Sequence, residues 1–138
     1  MISEVTSKDL DLIEEIGKLS LPIYYKKKEL QNFLIDEYHI LHKITYNEKL
    51  SGFYVSKLHE DRIHIMSIGI HPQNRGKKLG TILIEYIKNY KLPVTLFVQQ
   101  SNKIAINFYK KNDFKVLISI SRYYYNLECN DAYFMCYK

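Results

Sequence analysis

Apolar residues recur along this chain with two periods, about 3.6 and about 2, and each switch between them marks a change of element. Leu10, Ile13, Ile16 and Leu19 follow helical spacing behind Ser7, a residue type that caps helix N-termini. Leu21-Pro22-Ile23-Tyr24-Tyr25 interrupts that helix, because Pro22 would not continue it, and Glu29 to Leu34 reads as a second, short one. His39 to Tyr46 and Ser51 to Leu58, joined across Asn47-Glu48-Lys49, read as a hairpin. After the polar turn His59-Glu60-Asp61, the stretch Arg62 to Ile70 is long, β-branched and partly alternating, as a central strand should be.

Leu79, Ile82, Leu83, Tyr86, Ile87 and Tyr90 then keep an i, i+3, i+4, i+7 pattern that predicts a helix over 79–90. Pro93 to Val98 reads as a second buried strand. Ser101 or Asn102 caps a further helix with Ile104, Ala105, Phe108 and Tyr109 on one face; Asn112-Asp113, which tolerate the left-handed conformation, end it. Strands near 114–120 and 132–137 close the chain. No repeat, linker or shift of composition divides the sequence, so one domain over residues 1–138 is expected.

Composition narrows the class. An apolar fraction of 46% and a charged fraction of 25% are those of a globular protein with a real core. No run of about 18 apolar residues exists and Met1-Ile2-Ser3-Glu4 lacks a signal-peptide pattern, so no membrane association and a cytoplasmic location are expected. Cys129 and Cys136 have no histidines at ligand spacing, which predicts reduced packing residues and no metal. The net charge of +5 is concentrated partly in Lys26-Lys27-Lys28 and in Arg75-Gly76-Lys77-Lys78; no nucleic-acid motif accompanies it, and no direct nucleic-acid partner is expected.

The second basic cluster lies between the central strand and the helix at 79–90. Strand, short glycine-bearing basic loop, helix is the layout of a site for a phosphorylated ligand, because the first N–H groups of a helix lack partners and face positive dipole charge. An ordinary solvated turn has the same composition.

Three ordered blocks carry a resemblance: Ile68-x-Ile70-x-Pro72, Arg75-Gly76-Lys77-Lys78-Leu79-Gly80, and Asn102-x-x-Ala105-x-x-Phe108-Tyr109-x-x-x-x-Phe114. Together they resemble the Gcn5-related N-acetyltransferase (GNAT) superfamily over nearly the whole chain, the second matching its acetyl-CoA loop. The resemblance implies an α/β (α+β) domain with a mixed, mostly antiparallel sheet of about six or seven strands, splayed central strands and about four helices. Arg62 to Gly69, Val98 to Asn102, Ala105 to Tyr109 and Tyr123-Tyr124 further resemble the catalytic subunits of the NatE-type N-terminal acetyltransferases. Leu21-Pro22-Ile23-x-Tyr25 is similar to that family's hydrophobic substrate loop.

By this resemblance the cofactor is acetyl-CoA. Ile68 would donate its N–H to the thioester carbonyl and Ile70 would pair with the pantetheine arm, with Gly69 between them. Arg75, Gly76, Lys77, Lys78, Leu79, Gly80 and Thr81 would hold the pyrophosphate. Asn102 would cap its helix and contact coenzyme A beside Phe108. Tyr109 would be the general acid, since a phenol with pKa about 10 donates at neutral pH. Leu21, Pro22, Ile23, Tyr25 and Met66 on one side, with Tyr123 and Tyr124 on the other, would form the peptide slot.

The base departs from the family, which has a tyrosine at the position of His64 and a histidine at that of Phe97. His64, on the central strand with an ordinary pKa of about 6.5, is the expected base, directly or through water; a strand histidine held by a hydrogen bond is the plainer alternative. Lys78 also replaces the first glycine of the family's loop, and Asp113 the glycine before Phe114. An α-amine of pKa about 7.7 to 8.0 is roughly a tenth neutral at pH 7, against a few parts in ten thousand for lysine, so N-termini tolerate a weak base. The expected activity is transfer of acetyl from acetyl-CoA to protein or peptide N-termini, Met followed by a hydrophobic residue, with room for a ribosome-associated auxiliary subunit. Acetylation of a lysine or small amine, and a catalytically weak CoA-binding module on a ribosome-associated partner, remain alternatives.

Overall fold

The computed structural model describes residues 1–138. Seven strands and four helices follow in the order β1 (Ile2–Glu4), α1 (Leu10–Ser20), α2 (Lys27–Ile35), β2 (His39–Tyr46), β3 (Lys49–Leu58), β4 (Ile63–Ile70), α3 (Leu79–Lys88), β5 (Val94–Gln99), α4 (Lys103–Lys111), β6 (Lys115–Ile120) and β7 (Ala132–Tyr137). The strands form one mixed sheet ordered β1-β2-β3-β4-β5-β7-β6. Every pairing is antiparallel except β4 with β5. These are the elements the sequence patterns led to, arranged in the mixed sheet the resemblance implied, with one edge strand added to the patterns' reading: Ile2–Glu4 is too short to announce itself by alternation.

Local chemistry sets the element boundaries. Asn47 and Glu48 both take left-handed backbone, φ 52° and 64°, which turns β2 directly into β3. The Asp9 carboxylate accepts the Thr6 N–H at 2.8 Å and the Thr6 hydroxyl at 3.1 Å, so Thr6, not Ser7, starts the first helical segment, which begins as a 3-10 turn at Ser7–Asp9. Glu29 accepts the Lys26 N–H at 3.0 Å, which brings the start of α2 forward to Lys27. Asp113, at φ 72°, terminates α4 as its residue type allows.

The sheet separates two cores. Leu79, Leu83, Ile84 and Ile87 of α3 pack with Ile106 and Tyr109 of α4 against Ile63, Ile65, Val94, Leu96 and Val98. Leu10, Ile13, Ile16 and Leu30 of α1 and α2 pack against Leu41, Phe53 and Val55 on the other face. The expected helix faces shift accordingly. Leu19, Ile82, Tyr86, Tyr90 and Ile104 are exposed, and Ile84 and Ile106 take inward positions, so the arc that each helix turns to the sheet is rotated from the one the strict pattern assumes.

The feature that shapes the site lies at the sheet centre. β4 and β5 pair at Ile63 with Val94, His64 with Thr95 and Ile65 with Leu96, and then separate. Val55 of β3 faces Ser67 while Ser56 faces Ile65, so Met66 is an extra residue, a bulge that bends β4 where the parallel pairing ends. Beyond it β4 stays on β3, with Tyr54 opposite Ile68 and Gly52 opposite Ile70. His71 N–H donates to the Ser51 carbonyl at 2.8 Å. Antiparallel alternation then directs the N–H groups of Ile70 and Ile68 away from β3, into the gap left by β5.

Ile84 is fully buried whereas Ile104 is 86% exposed. Replacing Ile84 with Ala is expected to lower unfolding free energy by about 2–5 kcal/mol, and Ile104→Ala by less than about 0.5 kcal/mol. Urea unfolding of the two variants checks the assignment of faces.

Candidate active site

The loop between β4 and α3 presents an uninterrupted run of free donors. No N–H from Arg75 to Thr81 bonds to a protein acceptor; the first that does is Ile82, to the Lys78 carbonyl at 3.1 Å. Gly76 has φ 80° and open space where a Cβ would stand. Lys78 also takes left-handed backbone, φ 61° and ψ 21°, directly before α3. The family glycine it replaces is thus replaced at some strain and without loss of the turn. Arg75, Lys77 and Lys78 are exposed, Lys77 lying 5.1 Å from the Tyr46 ring centre. Leu79 is buried, and Gly80 and Thr81 are partly exposed. Free N–H groups, cationic side chains and the dipole of a ten-residue helix fit a pyrophosphate.

The head of α3 meets the middle of α4 at Gly80 and Phe108. Asn102 Oδ1 accepts the Ala105 N–H at 3.1 Å, which fixes Asn102 and not Ser101 as the cap. A Cβ on Gly80 would lie 3.0 Å from Phe108 Cζ, so Gly80 admits the Phe108 ring and sets the distance between α3 and α4. Tyr109, the next residue, is 8% exposed, with Phe108 and Phe114 as ring neighbours at 5.3 and 5.7 Å. Burial, with Tyr124 as a smaller second cause, holds its phenol well above the ordinary value. The expected pKa of about 10 is thus corrected upward: the phenol is protonated across the physiological range and is a weaker acid than the sequence implied. Ile68 and Ile70 border the same core, and Gly69 is buried between them.

A groove opens on the opposite face of the split. Leu21, Tyr25 and Met66 border the α1–α2 core, with Tyr25 edge-on to Phe33 at 5.0 Å. Pro22 and Ile23, from the same loop, are exposed at its rim. The β6–β7 loop supplies the far wall: Tyr123 stacks on Phe97 at 4.4 Å and meets Tyr124 edge-on at 4.9 Å. The phenol of Tyr25 is raised by burial, then by Glu29 and Tyr123; that of Tyr124 is pushed up to about 12 by burial, then by Tyr123 and Cys129. The Tyr25 phenol thus lies within electrostatic range of Tyr123, and that of Tyr109 within range of Tyr124. Gln99 and Gln100 tether the wall, donating to the Cys129 carbonyl at 2.7 Å and the Ala132 carbonyl at 3.0 Å.

His64 lies in this groove, its ring 5.2 Å from Phe97, so the histidine that has changed strands keeps its neighbourhood. Its Nδ1 is 2.8 Å from Thr95 Oγ1. Burial first, then Arg62 and His59, lower its pKa to about 4. The expected ring pKa near 6.5 is therefore corrected downward, and accepting a proton from an α-ammonium is correspondingly less favourable. Thr95 escaped the sequence reading although its alternation with Val94 and Leu96 places it on the groove face. A cavity of about 310 Å³ lined by Glu4, Glu37, His39 and His42 belongs to the β1–β2 side and shares none of these residues.

Amides directed into a strand split, a donor-rich loop at a helix head and a buried phenol thus border one core. The acetyltransferase (GNAT) family model matches residues 10–114, and the chain belongs to that family: it is a GNAT-type N-acetyltransferase. It is 27% identical over 145 residues to the probable N-acetyltransferase san of Drosophila melanogaster, covering 96% of this chain and 77% of that protein. It is 25% identical to N-alpha-acetyltransferase 50 of Danio rerio, covering 96% and 84%. Among solved structures, Arabidopsis thaliana Naa50 in complex with the bisubstrate analogue CoA-Ac-MVNAL superposes with a TM-score of 0.85 at 26% identity, covering 100% and 97%.

Relief of the left-handed strain in Lys78→Gly is expected to raise stability by about 1 kcal/mol, and Gly76→Ala to lower it by about 1 kcal/mol. Thermal melting of both variants tests the loop geometry.

Proposed function

We propose that this chain is an N-α-acetyltransferase that moves acetyl from acetyl-CoA to the N-terminal amine of peptides and proteins by direct attack in a ternary complex. The observation that carries this reading is the aromatic wall beside the β4–β5 split, where Tyr123 stacks on Phe97 at 4.4 Å and Phe97 lies 5.2 Å from His64. A groove closed by two loops and lined by Leu21, Tyr25 and Met66 suits an extended peptide end with an apolar side chain. Preference for Met followed by a hydrophobic residue draws support from the MVNAL peptide of the Naa50 analogue. In this reading substrates arrive in the cytoplasm as nascent or finished N-termini, with a ribosome-associated auxiliary subunit as the expected partner class.

When bound, acetyl-CoA supplies a thioester carbonyl as the electrophile. The Ile68 N–H, directed into the split, donates to the oxygen on which negative charge develops. Arg75 to Thr81 hold the pyrophosphate, and Ile70 keeps the pantetheine arm in register along β4. Tyr109 keeps its proton until the thiolate departs and then gives it up. Phe97 cannot carry a proton and His64 is too weak a base, so the amine reacts from its neutral fraction and releases its proton to water. That condition favours α-amines over lysines by about two to three orders of magnitude in available nucleophile. The same pair of residues favours a second reading, a coenzyme A-binding module with little turnover.

Incubation with acetyl-CoA is expected to acetylate Met-Leu-type peptides at least about 100-fold faster than N-blocked peptides bearing lysine. Equal rates would contradict the assignment, and tight acetyl-CoA binding without transfer would select the second reading. kcat/KM is expected to rise with pH toward the α-amine pKa of about 8, with no break near 6.5 from His64. Tyr109→Phe is expected to lower kcat by about 10²-fold or more.

A further inference from the structure

The two nitrogens of the His64 ring have unequal surroundings, and that inequality decides what the ring offers to the groove. Nδ1 is engaged by Thr95 Oγ1 at 2.8 Å. Thr95 is 4% exposed, and His64 Nδ1 is the hydrogen-bond partner of its hydroxyl. A hydroxyl carries one proton, which must be donated or left unsatisfied in the core. Here the acceptor within reach is Nδ1. A ring nitrogen that accepts is unprotonated, so the neutral imidazole carries its proton on Nε2.

Nε2 is open to the groove. The buried side-chain polar atoms without a partner are Arg62 Nε and Ser67 Oγ; Nε2, which has no protein partner either, is not among them. Arg62 and His59 are the charged or titratable groups acting on the ring, and both oppose a second proton on it. Whatever meets Nε2 in the groove therefore meets a donor. The acceptor that every peptide N-terminus carries beside its amine is the first carbonyl oxygen, and a lysine side chain carries none at that distance from its nitrogen.

We propose that His64, fixed by the Thr95 hydroxyl as the Nε2–H tautomer, donates a hydrogen bond to the carbonyl of the substrate's first residue, which makes Thr95 a positioning residue and the pair a device for telling N-termini from lysines. This rests on the N-terminal reading of the groove. The donor binds ground state and transition state alike, so its loss falls on KM rather than kcat, the reverse of what loss of a base does.

Nitrogen-15 NMR of the ring in the full chain reads the tautomer without any substrate. The expected result is a proton on Nε2 in the wild type and in Thr95→Ser, and a mixed population in Thr95→Val. A proton on Nδ1 in the wild type would overturn the assignment. In the peptide assay, His64→Ala is expected to raise KM at least about tenfold with kcat within about threefold, and His64→Gln, which keeps a donor near the Nε2 position, to restore most of the KM. An equal fall of kcat in His64→Ala and His64→Gln at unchanged KM would return His64 to proton transfer and refute the donor role. A wild-type chain that turns over no peptide refutes the N-terminal reading instead, and the tautomer is decided all the same.

Discussion

β4 satisfies its backbone along one edge and leaves it open along half of the other. It pairs with β3 throughout, yet with β5 only at the three positions from Ile63 to Ile65. Buried backbone groups ordinarily find partners, so an interior strand with free N–H groups at Ile68 and Ile70 is an unfinished structure that a linear polar ligand can complete. The Met66 bulge is what produces this condition, by bending β4 at the residue where the parallel ladder stops. The loop at Arg75–Thr81 and the head of α3 lie on the continuation of the same strand. One geometric decision thus sets both the acyl end and the phosphate end of the site.

Burial then decides which chemistry the split can perform. The same desolvation that keeps the Tyr109 phenol protonated keeps the His64 imidazole neutral, because each charged form would be stranded in a low-dielectric wall. On the proposed roles, the site holds a proton to give and lacks a side chain ready to take one. An α-amine can meet that condition at neutral pH where a lysine rarely can.

Much of this was legible in the chain. Proline, the Asn-Glu turn and the helical spacing of Leu79 to Ile87 locate the elements because they act within a few residues. The loop motif and the Asn102–Tyr109 block locate the cofactor end for the same reason. The helix faces were less accurate: Ile82 and Ile104 satisfy the period yet face solvent, since which arc is covered depends on how each helix lies on the sheet. The short strand Ile2–Glu4 exists only because β2 offers an edge. The pKa of His64 was beyond sequence reading altogether. It is set first by burial, which comes from elements folded around the ring, among them Thr95 and Phe97 of the parallel neighbour strand, and only then by the nearby Arg62 and His59.

The central claim is that one continuous set of backbone N–H groups, from Ile68 and Ile70 through Arg75–Thr81, receives the cofactor. Amide proton–nitrogen spectra recorded during titration with acetyl-CoA address those atoms directly. The account predicts that the largest shifts fall on Ile68, Ile70 and the residues from Arg75 to Thr81, moving together with a single dissociation constant. Shifts confined to other surfaces, or a loop that responds while Ile68 and Ile70 do not, would contradict it.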